Sequence, residues 1–431
     1  MTIYSAMNSG VAGLAAQSTK FGAISDNISN SSTIGYKRTD VQFATMVTST
    51  TIPGSYSAGG LQTDVRSETT IQGTVQSTST STDLAISGSG FFVVSSAANA
   101  DVTKASEKLL TRSGSFRVDE QGNLVNAAGY FLQGWALDSN GKVIGGEPSR
   151  TSFTTLQTVN LADITGMAQA TNNIEFSANL PASATGQTPA AGSFSTSIDY
   201  FTPLGFTKQL TLEWQPSTVA NQWRLNIKDS AGASIGSVNM AFSNGIASTL
   251  PAGTLSSMTS GTAGVTVTGG TISLSVGGQP ITIKMGDIGR TGGLTQWGDQ
   301  YVPSKISKDG ASYASLDRVQ VGKDGIITAI YGNGLRKPVY QLPLATVINA
   351  DGLTSVAGNA YKVSRESGDI YLWDSGSGST GTISGGALEA SNVDIAKELT
   401  SIIETQRAYS SCAKIIKTAD EMLEQISMLM R

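Results

Sequence analysis

SNVDIAKELTSIIETQRAYSSCAKIIKTADEMLEQISMLMR, running from Ser391 to Arg431, is the stretch that decides the fold. Apolar side chains recur at Ile395, Leu399, Ile402, Tyr409, Ala413, Ile416, Ala419, Leu423, Ile426 and Met430, with Gln406 breaking the stripe. Steps of three and four keep one face of an α-helix apolar. Lys397, Glu398, Glu404, Arg407, Lys414, Lys417, Glu421 and Glu424 fall between them, so the opposite face is solvated. Ser391 with Asp394 three residues on predicts a capping box, and no Gly or Pro interrupts the run. At a rise of about 1.5 Å per residue the helix is roughly 55–60 Å long. A one-sided stripe of that length requires a long partner.

The other end of the chain offers one. Met7, Val11, Leu14, Phe21, Ile24 and Ile28 repeat at the same steps, with Ser18 where a further apolar residue would fall. Each terminal helix could instead pack on its own globular neighbour. Nearly everything between about residue 45 and residue 385 reads as strands and turns, however. The two helical ends are therefore expected to pair with each other or with copies of themselves.

Composition narrows the function. The 431 residues allow two to four domains. Charged residues are 14%, well below the usual ~25%, and glycine is plentiful at 49 residues, a balance that suits β-domains with many turns. A net charge of −4 and a pI near 5.1 provide no basic field for nucleic acid. The sequence has no histidine, which removes Ser-His-Asp and Cys-His catalysis and His-ligated zinc. A single cysteine, Cys412, excludes an intramolecular disulfide. Met1-Thr2-Ile3-Tyr4 lacks a basic start and a continuous apolar core, so no conventional signal peptide is expected. No apolar run is long enough to span a membrane.

Along the chain, the first helix should end in the Asn- and Ser-rich run from Asp26 to Arg38. From Thr48 to Thr82 the residues predict an extended, weakly packed connector. Gly88-Ser89-Gly90 before Phe91-Phe92-Val93-Val94 lacks the third glycine of a dinucleotide fingerprint and the Gly-Lys of a P-loop, so it reads as a turn into a strand. Val118–Leu124 and Leu137–Val143 share apolar-Asp-x-x-Gly-x-apolar, the pattern of a type I turn closing a bulged hairpin. Calcium would need alternating carboxylates that these loops lack.

The texture changes from about Gly166 to Thr295, where alternating strands such as Gln209–Trp214 and Trp223–Ile227 suggest an inserted β-domain. Trp214 and Trp223 could form a sugar platform, but a cross-strand core contact is favoured. An Asp324-Gly325 hairpin and a turn at Tyr331–Arg336 follow. The expected fold is mainly β with long terminal α-helices and nested β-domains between them. Residues 1–30 and 388–431 form a helical assembly domain that pairs in a coiled-coil-like polymer core. Residues 31–81 and 371–387 form an extended connector, 82–165 and 296–370 a first β-domain, and 166–295 an inserted outer β-domain.

Both ends carry more specific motifs. Ser9-Gly10-Val11-Ala12-Gly13-Leu14, Asp26-Asn27-Ile28-Ser29-Asn30 and Gly35-Tyr36-Lys37-Arg38 resemble the opening of the bacterial flagellar rod/hook axial protein family. Leu388-Glu389-Ala390-Ser391-Asn392-Val393-Asp394, Gln406-Arg407-Ala408-Tyr409 and Lys417–Met422 resemble its close. The Leu84–Val94 segment, Thr111–Phe116 and Leu132-Gln133-Gly134 are similar to the same family. Glu175–Leu180 and Asp199–Gly205 resemble the hook subunit within it, although Pro203 stands where a Ser is usual.

The resemblance implies a homopolymer, a curved extracellular tube joining the motor's rod to the filament. It implies export without a cleaved signal through the flagellar type III apparatus. Its partners would be the rod, hook cap and hook–filament junction proteins, with no nucleic acid and no membrane insertion. A distal rod subunit is the alternative, and a secreted adhesin-like β-protein a further one. A carboxylate glycosidase would need a pair of facing acids, and none stands out among the 32 Asp and Glu. No catalytic, metal or cofactor constellation is expected. Nested ends that expose apolar surface alone and bury it in a polymer suit one repeated, non-closing contact.

Overall fold

The computed structural model describes residues 3–46, 59–98, 108–246 and 249–429. Part of the expected connector and Met430 lie outside them. Two long helices, α1 (Ile3–Ser29) and α2 (Ile395–Leu429), enclose a succession of short strands. The helix–strand–helix order expected of the sequence is the one observed.

α1 stops at Ser29, inside the Asn- and Ser-rich run. The Asn30 side chain donates to Asp26 O at 2.9 Å, and the Thr33 backbone N–H bonds to Asn30 O in the following turn. The start of α2 differs from expectation. Asp394 itself is the cap, its Oδ1 accepting the Ala396 N–H at 2.9 Å and the Lys397 N–H at 3.3 Å, which satisfies donors the first helical turn cannot. Ser391 Oγ accepts from Val393 N, before the helix, so no Ser391–Asp394 capping box forms. The described part of the connector is extended and takes its order from neighbouring strands, with no residue of Leu61–Ser67 or Val75–Ser77 buried. Leu61–Ser67 pairs along its whole length with Thr39–Thr45, and Val75–Ser77 pairs with Ala387–Glu389.

The chain divides into two compact units, Met1–Ile164 with Arg318–Ile330 and Arg336–Arg431, and Thr165–Asp317 with Tyr331–Leu335. In the first, Phe91–Ser95 lies at the heart of a 13-stranded sheet, pairing with Lys108–Thr111, Phe131–Ala136 and Pro343–Val347. Phe91, Val93, Leu110, Trp135, Leu156, Tyr361 and Leu372 fill the core beneath it. Gly88 and Gly90 have φ of +110° and +122° and open this strand as a turn, with no helix behind them to hold a phosphate. Both Asp-x-x-Gly hairpins form. Asp119 Oδ1 accepts from Gln121 N and Asn123 N, Asp138 Oδ1 from Asn140 N and Lys142 N, and Gly122 and Gly141 take the positive φ the turn requires.

The second unit sets a five-stranded antiparallel sheet (Phe194–Phe201, Thr207–Pro216, Gln222–Lys228, Ser234–Phe242, Leu255–Ser260) against a six-stranded sheet built around Asn173–Leu180. Side chains from both sheets share one core. Val302–Lys308 and Ala311–Ala314 lie past residue 295 and pair inside this unit, with Asn173–Leu180 and Met167–Gln169. Trp214 and Trp223 are both buried, which removes the sugar platform. They sit on a diagonal, Trp214 opposite Leu225 and Trp223 opposite Pro216. Trp214 stacks on Phe176 at 5.8 Å, and Trp223 meets Phe194 at 6.0 Å.

Candidate assembly surface

α1 and α2 pack against each other through small residues. Gly10, Gly13 and Ala16 are buried on α1, and a Cβ added at Gly13 would stand 2.9 Å from Cys412 Sγ. One at Gly10 would meet Ile416 Cγ1 at 3.1 Å. Glycine costs about 1 kcal/mol in a helix interior, and here close approach of the partner helix offsets that cost. A Cβ added at Gly22 would meet no neighbouring element within 4 Å among the described residues, so no such reason applies there. On α2 the inward positions include Glu398, Thr405 and Ala419, all buried.

The expected stripe residues divide between two faces. Ile24 and Ala419 are buried, while Met7, Leu14, Ile28, Ile402, Ile416 and Leu423 are half-buried. Val11, Phe21, Ile395, Leu399, Tyr409, Ala413 and Ile426 face outward, and so do Ile403, Ile415, Met422 and Met428, which lie off the expected stripe. Phe21 and Tyr409, with Gln17, Ser18 and Thr405, line a hollow of about 500 Å³ between the helices. The inner face escaped the sequence reading because Gly10-x-x-Gly13-x-x-Ala16 carries no apolar bulk. Its signal was the helical spacing of small residues.

At the base of the helix pair, the segment after α1 is tied to the segment before α2. Lys37 Nζ donates to Glu389 Oε1 at 2.6 Å and to Ile71 O at 2.6 Å, and both charged side chains are fully buried. Arg112 Nη1 reaches Glu389 Oε2 at 3.1 Å, and the Gly73 N–H donates to Oε1 at 2.9 Å. Burial pulls the Lys37 ammonium down from its ordinary value, and the Glu389 carboxylate holds it up. Arg38 is shared among Glu398, Glu68 and Asp40. Burial lowers its pKa, but the hydrogen bond and charge of Glu398 outweigh that, so the net shift is upward.

Backbone contacts complete the knot. Asn392 Oδ1 accepts the Arg38 N–H at 2.7 Å, Asn27 exchanges two hydrogen bonds with Thr39, and the Tyr36 hydroxyl donates to Asn27 Oδ1. Gly35, at φ +69°, donates its N–H to Glu389 O, and a Cβ there would lie 2.5 Å from Ser113 N. The residues of the two terminal motifs thus meet in one place, a pairing that no local pattern announces. Among the described residues no group of acids or Cys is arranged to hold a metal, and no helix is long and apolar enough to cross a membrane.

The helix pair is closed at its base and leaves apolar side chains outside, and three family models match the chain that builds it. Residues 7–37 match the family described as flagella basal body rod protein, 85–184 the flagellar hook protein FlgE/F/G D1 domain, and 384–429 the flagellar basal body rod FlgEFG protein C-terminal. The chain is 36% identical over 437 residues to the flagellar hook protein FlgE of Brucella abortus biovar 1, covering all of both chains. It is also 36% identical to that of Rhizobium meliloti, again over the full length of both. A solved structure, the Helicobacter pylori flagellar hook protein FlgE2, aligns with 72% of this chain and 98% of its own at 14% identity and a TM-score of 0.47. The chain belongs to the flagellar hook protein FlgE family. It is a structural subunit of the hook, and the rod alternative is not favoured.

Proposed function

We propose that this subunit polymerises through its helix pair into the curved, flexible tube that links the basal-body rod to the filament. The observation that carries the reading is the outward apolar face: Val11, Phe21, Leu399, Tyr409 and Ile426 are each more than two-fifths exposed. Burying a large apolar side chain is worth roughly 1.5–3 kcal/mol, so neighbouring copies have much to gain by covering that face. One repeated asymmetric contact that does not close on itself yields a helical polymer. The same reading assigns the second unit to an outer position, where weak polar and apolar contacts between neighbours can exchange as the tube bends. Export through the flagellar type III apparatus without a cleaved signal, and contacts with rod, cap and junction proteins, belong to this proposal. The purified full chain, polymerised and imaged by electron microscopy, should give curved tubes, and removal of Ser391–Arg431 should leave none. Straight tubes would favour the rod, and absence of any polymer from the full chain would overturn the reading.

A further inference from the structure

The two residues that interrupt the helix stripes meet. Ser18 on α1 and Gln406 on α2 both line the hollow of about 500 Å³ between the helices, together with Phe21 and Tyr409. A serine where apolar bulk would otherwise stand leaves room beside two exposed aromatic rings. Ser410 lines the same hollow. Arg407, three residues before it, and Lys414, four after it, therefore fall on the same side of α2. Both are exposed, and neither has an ion-pair partner among the described residues. The hollow thus combines two aromatic rings, several hydrogen-bonding side chains and a positive edge.

The far end of α2 has the complementary character. Gly10 stands against Ile416 and Gly13 against Cys412, so the helices run antiparallel, and the register carried back to Ile3 reaches Leu423. Past that point α2 has no α1 residue opposite it among the described residues. Glu421, Glu424, Gln425 and Met428 recur there at steps of three and four, on one face, and all four are exposed. Asp420 to Met428 holds three acids and no base. Methionine is unbranched and fills irregular gaps readily. From Ser410 to Met428 the helix rises roughly 27 Å, so hollow and helix end can meet only between copies.

We propose that the end of α2 in one copy docks on this hollow in a second copy. Met428 enters beside Phe21 and Tyr409, Gln425 faces Gln406, and Glu421 and Glu424 meet the Arg407–Lys414 edge. The contact rests on the polymer reading above and adds a register to it. It joins two different patches of the same chain, so it repeats from copy to copy without closing.

The test uses the full chain, polymerised and scored by sedimentation. Glu421→Lys with Glu424→Lys, and separately Arg407→Glu with Lys414→Glu, should each raise the critical concentration roughly tenfold, because like charges then face each other. All four changes together should restore assembly, since opposite charges meet again. Should a charge variant fold poorly, a cysteine pair carries the test. Ser410→Cys with Gln425→Cys, on a Cys412→Ala background, should give a disulfide-linked ladder in oxidised tubes, and either cysteine alone should give none. The two positions lie about 22 Å apart along one helix, too far for a disulfide within a chain. Absence of any tube from the unaltered chain would sink the polymer reading and this contact with it. Tubes in which the combined charge swap assembles no better than its parts, and the paired cysteines stay unlinked, leave that reading standing and overturn the contact.

Discussion

The second β-unit and the helix pair solve burial in opposite ways. In the β-unit, alternate residues of the central strands point into one core, from Ile174 and Phe176 on one sheet to Trp214, Leu225 and Val238 on the other. The helix pair buries small residues, Gly10, Gly13, Ala16 and Ala419, with a few polar ones such as Glu398 and Thr405, and leaves much of its apolar bulk outside. A β-sandwich that closes on itself is finished as a monomer. A helix pair with Leu399 half exposed and Glu398 buried beside it leaves apolar surface that the proposed polymer would cover. Propensity explains little of this contrast, because most of a helix's stability comes from what its apolar face is packed against.

The sharpest way to break the comparison is to charge the outward face. Leu399→Asp with Ile426→Asp should abolish polymerisation, scored by sedimentation and microscopy, while circular dichroism of the β-structure stays unchanged. Next in size, replacing residues 165–317 with a short Gly/Ser linker should still allow tubes, of altered curvature or stiffness. If that protein folds its first unit and forms no tube, the second unit belongs to the primary framework.

Glu389→Gln should destabilise the first unit by about 3–5 kcal/mol, since Lys37 and Arg112 then lose the carboxylate they share among the described residues. Calorimetry should show that transition moving while the second unit's holds. The smallest effect concerns the helix contact. Gly13→Ala should cost about 1–3 kcal/mol through overpacking against Cys412, and adding Cys412→Ala should restore most of it. Cys412→Ala alone should polymerise and support motility, because the thiol serves there as a small packed group.

Both helices were legible because periodicity over so long a run leaves little choice of conformation. Which face turned inward was not, since Gly10, Gly13 and Ala16 are silent in an apolar count and Glu398 reads as solvated until Arg38 is found beside it. The Asp-Gly hairpins were legible for a local reason: a carboxylate accepting two nearby N–H groups needs only its own loop. The knot at Glu389 was not, because Lys37 stands 352 residues away and no local rule couples them. The reading of the tryptophans as core held, although their stacking on Phe176 and Phe194 depends on sheet pairing that spacing alone does not specify.

That knot also sets an order of events. Lys37, Arg112 and Gly73 all wait for a carboxylate at residue 389, and Gly35 waits for the same residue's carbonyl. Until then two cations have no counterpart, and the loop between them and their partner holds most of the chain. Closing so long a loop costs entropy that only the finished contacts repay. The first unit is therefore completed late, when nearly all of the polypeptide is present, and a chain emerging from its amino end stays open until its last tenth arrives. On the proposed export route, the latch that closes the molecule is carried at the end that comes last.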